Sequence, residues 1–99
     1  MVNYILFEKQ DGYFTNADGD ILFDFIHQNF EQGNKVNVSF KNISGLNSSF
    51  VNSAFISLLD YYTFDYIKSH LTFSDSNKQI NNLILSRFHF EVNRTCTVK

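Results

Sequence analysis

The run "KVNVSFK", from Lys35 to Lys41, alternates apolar and polar residues between two stretches that have helical spacing. A period of two puts Val36, Val38 and Phe40 on one face of a strand and Asn37 and Ser39 on the other. One sheet face is then covered and the other is wetter. Upstream, Ile21, Leu22, Phe25, Ile26 and Phe30 mark one helix face; downstream, Val51, Ala54, Phe55, Leu58 and Leu59 mark another. A strand set between two such helices joins parallel neighbours through right-handed crossovers. The pattern therefore predicts an α/β domain rather than an all-helical one.

The flanking segments extend this order. Val2 to Glu8 reads as a largely buried strand, because Tyr4, Ile5, Leu6 and Phe7 are apolar on both faces. "KQDG" is turn chemistry that closes hairpins, so Tyr13 and Phe14 are expected in a short second arm. Thr15 or Asn16 should cap the first helix, with Asp18 and Asp20 at the positive end of its dipole. Gly33 should stop it. "DYYTFDYIKSH" reads as a break followed by a short helix, and "HLTFSD" as a third main strand. A last helix starting at Asp75 or Ser76 would carry Ile80, Leu83, Ile84 and Phe88. The alternation of Phe88, Phe90 and Val92 also allows "FHFEV" to be extended. Residues 1–93 form the expected domain, and 94–99 a polar tail.

Composition narrows the chemistry. The chain has 99 residues, 43% hydrophobic and 18% charged, as suits one globular domain with a single core. The net charge is −2 and the basic residues are scattered, so no surface neutralises several phosphates and nucleic acid is not an expected partner. No apolar run approaches the ~20 residues of a membrane span. Cys96 is the single cysteine and the N-terminal run lacks a basic, apolar leader, which fits a reducing cytoplasm. The excess of Asn, Lys, Ile, Phe and Tyr suits an AT-rich bacterial or phage genome.

No catalytic constellation is expected. His27, His70 and His89 share no metal-ligand spacing, and Cys96 has no activating neighbour beyond Arg94. Asp18 and Asp20 are explained by the helix dipole. No metal, cofactor or nucleophile–base pair follows from these residues. Tyr61, Tyr62, Phe64 and Tyr66 form an aromatic cluster that reads as core, or as a protein interface, since a ring with a polar tip tolerates both. Ser48 and Ser49 read first as helix caps.

The strand "VNVSF", the loop Ser48-Ser49-Phe50, and the helix bearing Phe55 and Leu58-Leu59 resemble the STAS-like family of unknown function. That family is related to STAS domains, named for sulfate transporters and anti-sigma factor antagonists. "HLTFSDSNKQINNLI" fits the family's last strand and helix, and the likeness runs from about Phe14 to Phe88. The resemblance implies an α/β (α+β) fold with a mixed sheet of roughly three to five strands and helices mainly on one face. It implies a non-enzymatic regulatory module that docks a partner protein through residues 44–50 and the following helix. Asn47, Ser48, Ser49 and Phe50 would be the contact residues. A histidine-kinase-like ATP-binding protein is the partner so implied. Anti-sigma factor antagonists carry Asp-Ser-Ser-Gly here, with the first serine phosphorylated, which makes Ser48 the candidate phosphoacceptor. This chain has Asn47 for the aspartate and Phe50 for the glycine. The alternative function is a phage or mobile-element inhibitor that binds and blocks a host defence enzyme.

Overall fold

The computed structural model describes residues 1–97, with side chains through residue 93. The chain runs β1 (Val2–Ile5), α1 (Leu6–Lys9), α2 (Asn16–Glu31), β2 (Val36–Ser39), α3 (Ser48–Ala54), a 3-10 helix (Ile56–Asp60), α4 (Phe64–His70), β3 (Leu71–Ser74) and α5 (Lys78–Thr97). The three strands form one parallel sheet in the order β1-β2-β3. As the alternation of "KVNVSFK" requires, Val36, Val38 and Phe40 are fully buried.

One sheet face carries the core. The Phe73 ring lies 5.5 Å from that of Phe40 and 5.2 Å from that of Phe55, while Tyr4 meets Phe25 of α2 at 4.7 Å. The other face is polar. Asn3, Asn37 and Thr72 are aligned across the three strands. Thr72 Oγ1 donates to Asn37 Oδ1 at 2.9 Å, and Asn37 Nδ2 donates to Ser74 Oγ at 3.0 Å. Parallel sheets usually have both faces covered. Here the side chains of the exposed face satisfy one another instead.

The expected hairpin does not form, and the sheet is all parallel rather than mixed. After Ile5 the chain makes one helical turn, α1, which buries Leu6 completely. The amides that a second arm would offer to a ladder are used locally. Thr15 is the N-cap of α2, and the Asp18 carboxylate accepts from the backbone of Phe14 and Thr15, each at 3.2 Å. Those bonds to Thr15 and Phe14 hold the Asp18 carboxyl below the usual carboxylate range. Gln10 completes the link: its Oε1 accepts from the Tyr4 hydroxyl at 2.7 Å, and its Nε2 donates to the carbonyls of Gly12 and Asp18 at 2.7 and 3.0 Å.

α2 ends where expected, with Gly33 at φ +78. Ile21, expected in its buried stripe, is exposed, while Leu22, Ile26 and Phe30 are buried. α2 packs on α3 by close approach at Gly19, where a β-carbon would lie 2.6 Å from Ser53 Cβ and 2.8 Å from the Phe50 carbonyl oxygen.

"FHFEV" is helical rather than extended. Ile80, Ile84 and Phe88 are buried while Phe90 is exposed, as a helix arranges them; an extended chain would put Phe88 and Phe90 on one face. The backbone of α5 continues to Thr97. Residues 98–99 and the side chains from 94 onward, where the polar tail and Cys96 fall, lie outside the described residues. No described helix is long and apolar enough to cross a membrane.

Candidate functional site

In open parallel sheets the crevice outside the carboxyl ends of the strands is the usual place for a site. β2 and β3 end side by side there. Phe40 N donates to the Ser74 carbonyl at 2.9 Å, and the buried Ser39 hydroxyl donates to Asp75 Oδ2 at 2.7 Å. Two non-glycine residues take left-handed backbone at this edge, Asn42 (φ 65) and Asp75 (φ 54). Asn and Asp adopt that conformation at small cost, and such positions concentrate at functional loops. Asn42 allows the turn closed by Ile43 N and the Phe40 carbonyl at 3.0 Å.

The loop that follows is held by α5. Leu46 N donates to Gln79 Oε1, and Gln79 Nε2 donates to the Leu46 carbonyl, both at 3.2 Å. Asn77 Nδ2 donates to the Ser44 carbonyl at 2.9 Å, while Asn77 Oδ1 caps α5 by accepting from Ile80 N at 3.0 Å. The loop passes close over Gln79 at Gly45, where a β-carbon would lie 2.9 Å from Gln79 Oε1. Ile43 and Leu46 anchor the loop in the core. A polar loop is thus fixed at both backbone and side-chain level.

The four contact residues expected from the sequence divide three to one. Asn47, Ser48 and Ser49 are exposed. Phe50 is fully buried, with its ring 6.4 Å from that of Phe55, so it cannot serve as a surface anchor. Burial follows from its place one turn inside α3, on the same stripe as Ala54. The cap is also reassigned. Asn47, not Ser48 or Ser49, is the N-cap of α3, and its Oδ1 accepts from Phe50 N at 3.0 Å. Ser48 and Ser49 are the first two helical residues, and neither hydroxyl has a hydrogen-bond partner among the described residues. Asn47→Ala should therefore lower stability by about 1 kcal/mol in a denaturant titration, and Ser48→Ala by no more than about 0.5 kcal/mol. A larger loss from Ser48→Ala would return the cap to the serine.

The other polar residues separate. His27 stacks on Phe23 at 5.5 Å, His70 stacks on Tyr66 at 4.0 Å, and His89 is exposed on α5. No three His, Cys, Asp or Glu side chains gather into a metal-binding group among the described residues. Tyr62 donates its hydroxyl to Glu31 at 2.6 Å, and partial burial beside that carboxylate drives the phenol far above its ordinary value. Sequence reasoning missed Asn77 and Gln79. Asn77 lies three residues before the first buried residue of α5, which is the spacing of a cap, but Ser76 and Asp75 offer the same chemistry one and two positions earlier.

A family model described as a STAS-like domain of unknown function (DUF4325) matches residues 18–81. The matched span begins in α2 and ends in the first turn of α5, and it includes the loop with both of its clamping residues. No curated protein and no solved structure matches the chain.

Proposed function

Because the chain belongs to this STAS-like domain family of unknown function, we propose that it is a non-enzymatic regulatory module that binds another protein through the Ser44–Ser49 loop and the start of α3. The fixed loop carries the reading. Gln79 and Asn77 hold its backbone through the Leu46 and Ser44 groups, while Asn47, Ser48 and Ser49 face solvent. A preordered loop loses little conformational entropy when a partner docks, so even a small contact surface can be specific. The buried Phe50 acts from below, by setting the direction in which α3 leaves the loop.

By resemblance, a histidine-kinase-like ATP-binding protein is the first partner to try. Phosphate on Ser48 is the corresponding regulatory step, and intact-mass measurement on protein from its own host detects it. Capture of a partner from that host, followed by binding measurements on the purified pair, tests the docking surface. Ser49→Arg should weaken binding by about tenfold or more with an unchanged melting temperature. Thr72→Arg, on the polar sheet face, should leave binding as it was. The opposite pattern would move the partner to the open sheet face and end this reading.

A further inference from the structure

A second surface of different chemistry lies on the α2–α4 side. Rings from three segments meet there. Phe23 and His27 of α2 lie 5.7 and 4.9 Å from Tyr61, and Tyr62 stacks on Tyr66 at 5.1 Å. The Tyr62 hydroxyl, bonded to Glu31 at 2.6 Å and 3.2 Å from His27 Nδ1, fixes the centre of this group. Tyr61 is 62% exposed although it is flanked by two rings. Beside it opens a cleft of about 430 Å³ lined by Leu59, Asp60, Phe64, Val92 and the two tyrosines. Asp60 is exposed and has no ion pair among the described residues.

Charge distinguishes this side from the rest of the molecule. Between Gln10 and Asn34 the sequence has Asp11, Asp18, Asp20, Asp24 and Glu31, and no lysine or arginine. Between Asn42 and Ile67 it has Asp60 and Asp65, again with no lysine or arginine. Of these, Glu31 is bonded to the Tyr62 hydroxyl and Asp60 lines the cleft, whereas Asp18 is held by the amides of Phe14 and Thr15 at the start of α2. Two cations lie near: Lys68 sits over the Phe64 ring at 5.2 Å, so a ring of this cleft already receives an ammonium group, and Arg87 lines the adjoining hollow with Leu59 and Asp60, where Glu91 pairs with it at 3.5 Å. An acidic surface repels nucleic acid and anionic lipid and draws cations. Exposed tyrosine faces add cation–π attraction, which is strongest for arginine.

We propose that the Tyr61 cleft with its acidic rim is a docking site for a basic, arginine-bearing segment of a partner protein. The aliphatic stem of the arginine would cover Leu59 and Val92, and its guanidinium would meet Asp60 and the face of Tyr61. The surface is separate from the Ser44–Ser49 loop. The loop sits where β2 and β3 end, whereas Phe30, Tyr66 and His70 lie where those strands begin. The proposal stands or falls independently of the function assigned to the loop.

The test uses the whole chain, isotopically labelled, titrated in low salt with three acetylated peptides of equal length: an Arg-Gly repeat, its Lys-Gly analogue and its Glu-Gly analogue. The arginine peptide should give saturable shifts at the amides of residues 59–64 and of Phe23 and His27. The lysine peptide should bind more weakly and the glutamate peptide not at all. Tyr61→Ala and Asp60→Asn, both at exposed positions, should each weaken the arginine peptide by about two- to fivefold, the size of one exposed cation–π or charge contact. Ser49→Arg should not change it. Shifts centred on residues 44–49, equal responses to the arginine and glutamate peptides, or the absence of saturable binding to the arginine peptide would each overturn the proposal.

Discussion

Phe50→Ala is expected to lower the unfolding free energy by about 3–5 kcal/mol, the usual loss for a phenylalanine truncated inside a core. The ring is fully buried and meets Phe55, which in turn meets Phe73 of the sheet. Truncation therefore leaves a cavity beside Phe55, whose ring is itself held against Phe73 and cannot freely collapse into it. A domain of this size has only about 5–15 kcal/mol of stability, so the variant should melt on the order of 15 °C lower or more. Phe50→Leu, which retains most of the volume, should lose much less. Denaturant titration of the three proteins measures both changes. An alanine variant within about 1 kcal/mol of the parent would mean that the ring is not in the core. Any binding loss in Phe50→Ala has to be judged on the folded fraction alone, because this substitution acts through the fold.

Gly19→Ala should lower stability by about 1 kcal/mol, against the trend of its own helix. Replacing glycine by alanine inside a helix normally gains about 1 kcal/mol through the reduced freedom of the unfolded chain. At Gly19 that gain is opposed by two contacts that β-carbons essentially never make, 2.6 Å to Ser53 Cβ and 2.8 Å to the Phe50 carbonyl oxygen, and by a tight one of 3.1 Å to the Ala54 amide nitrogen. Two of the three atoms are backbone, so a side-chain rotation cannot relieve the clash and α2 must move off α3. Overpacking of this kind loses about 1–3 kcal/mol, occasionally more, and it outweighs the propensity gain. A thermal melt compares the two proteins directly. An alanine variant as stable as the parent would show that the helices separate without penalty.

Regular patterns were legible in the sequence, and bonds that close over distance were not. Val36, Val38 and Phe40 could be placed from alternation, and the α2 face from helical spacing, because each depends on neighbours within about seven residues. The family resemblance around Ser48 was legible for the same reason. The absent hairpin was not. "KQDG" has the local chemistry of a turn, but the outcome depended on Gln10 reaching Asp18 and on Asp18 taking the amides of Phe14 and Thr15. The cap of α3 was missed by one residue because Asn47, Ser48 and Ser49 are all competent caps, and only the burial of Phe50 sets the phase of the helix. The loop clamps were invisible because Gln79 and Leu46 are 33 positions apart in the chain. Nothing local marks a glutamine as the support of a distant loop.

The all-parallel sheet also constrains how the chain can assemble. Val2 pairs with Val36 and Val36 with Leu71, so every rung joins residues 34 or 35 positions apart. Each strand pairs with the next one in the chain, but in parallel and through a long crossover, so no hairpin is available as a seed. Closing loops of that length loses chain entropy before any ladder bond forms, which slows folding relative to a helical bundle of equal size. The α2–α3 contact gains nothing on this count, since Gly19 meets Ser53 across 34 positions of chain. Helix layer and sheet therefore close loops of equal length, and neither has a local seed beyond the helices themselves.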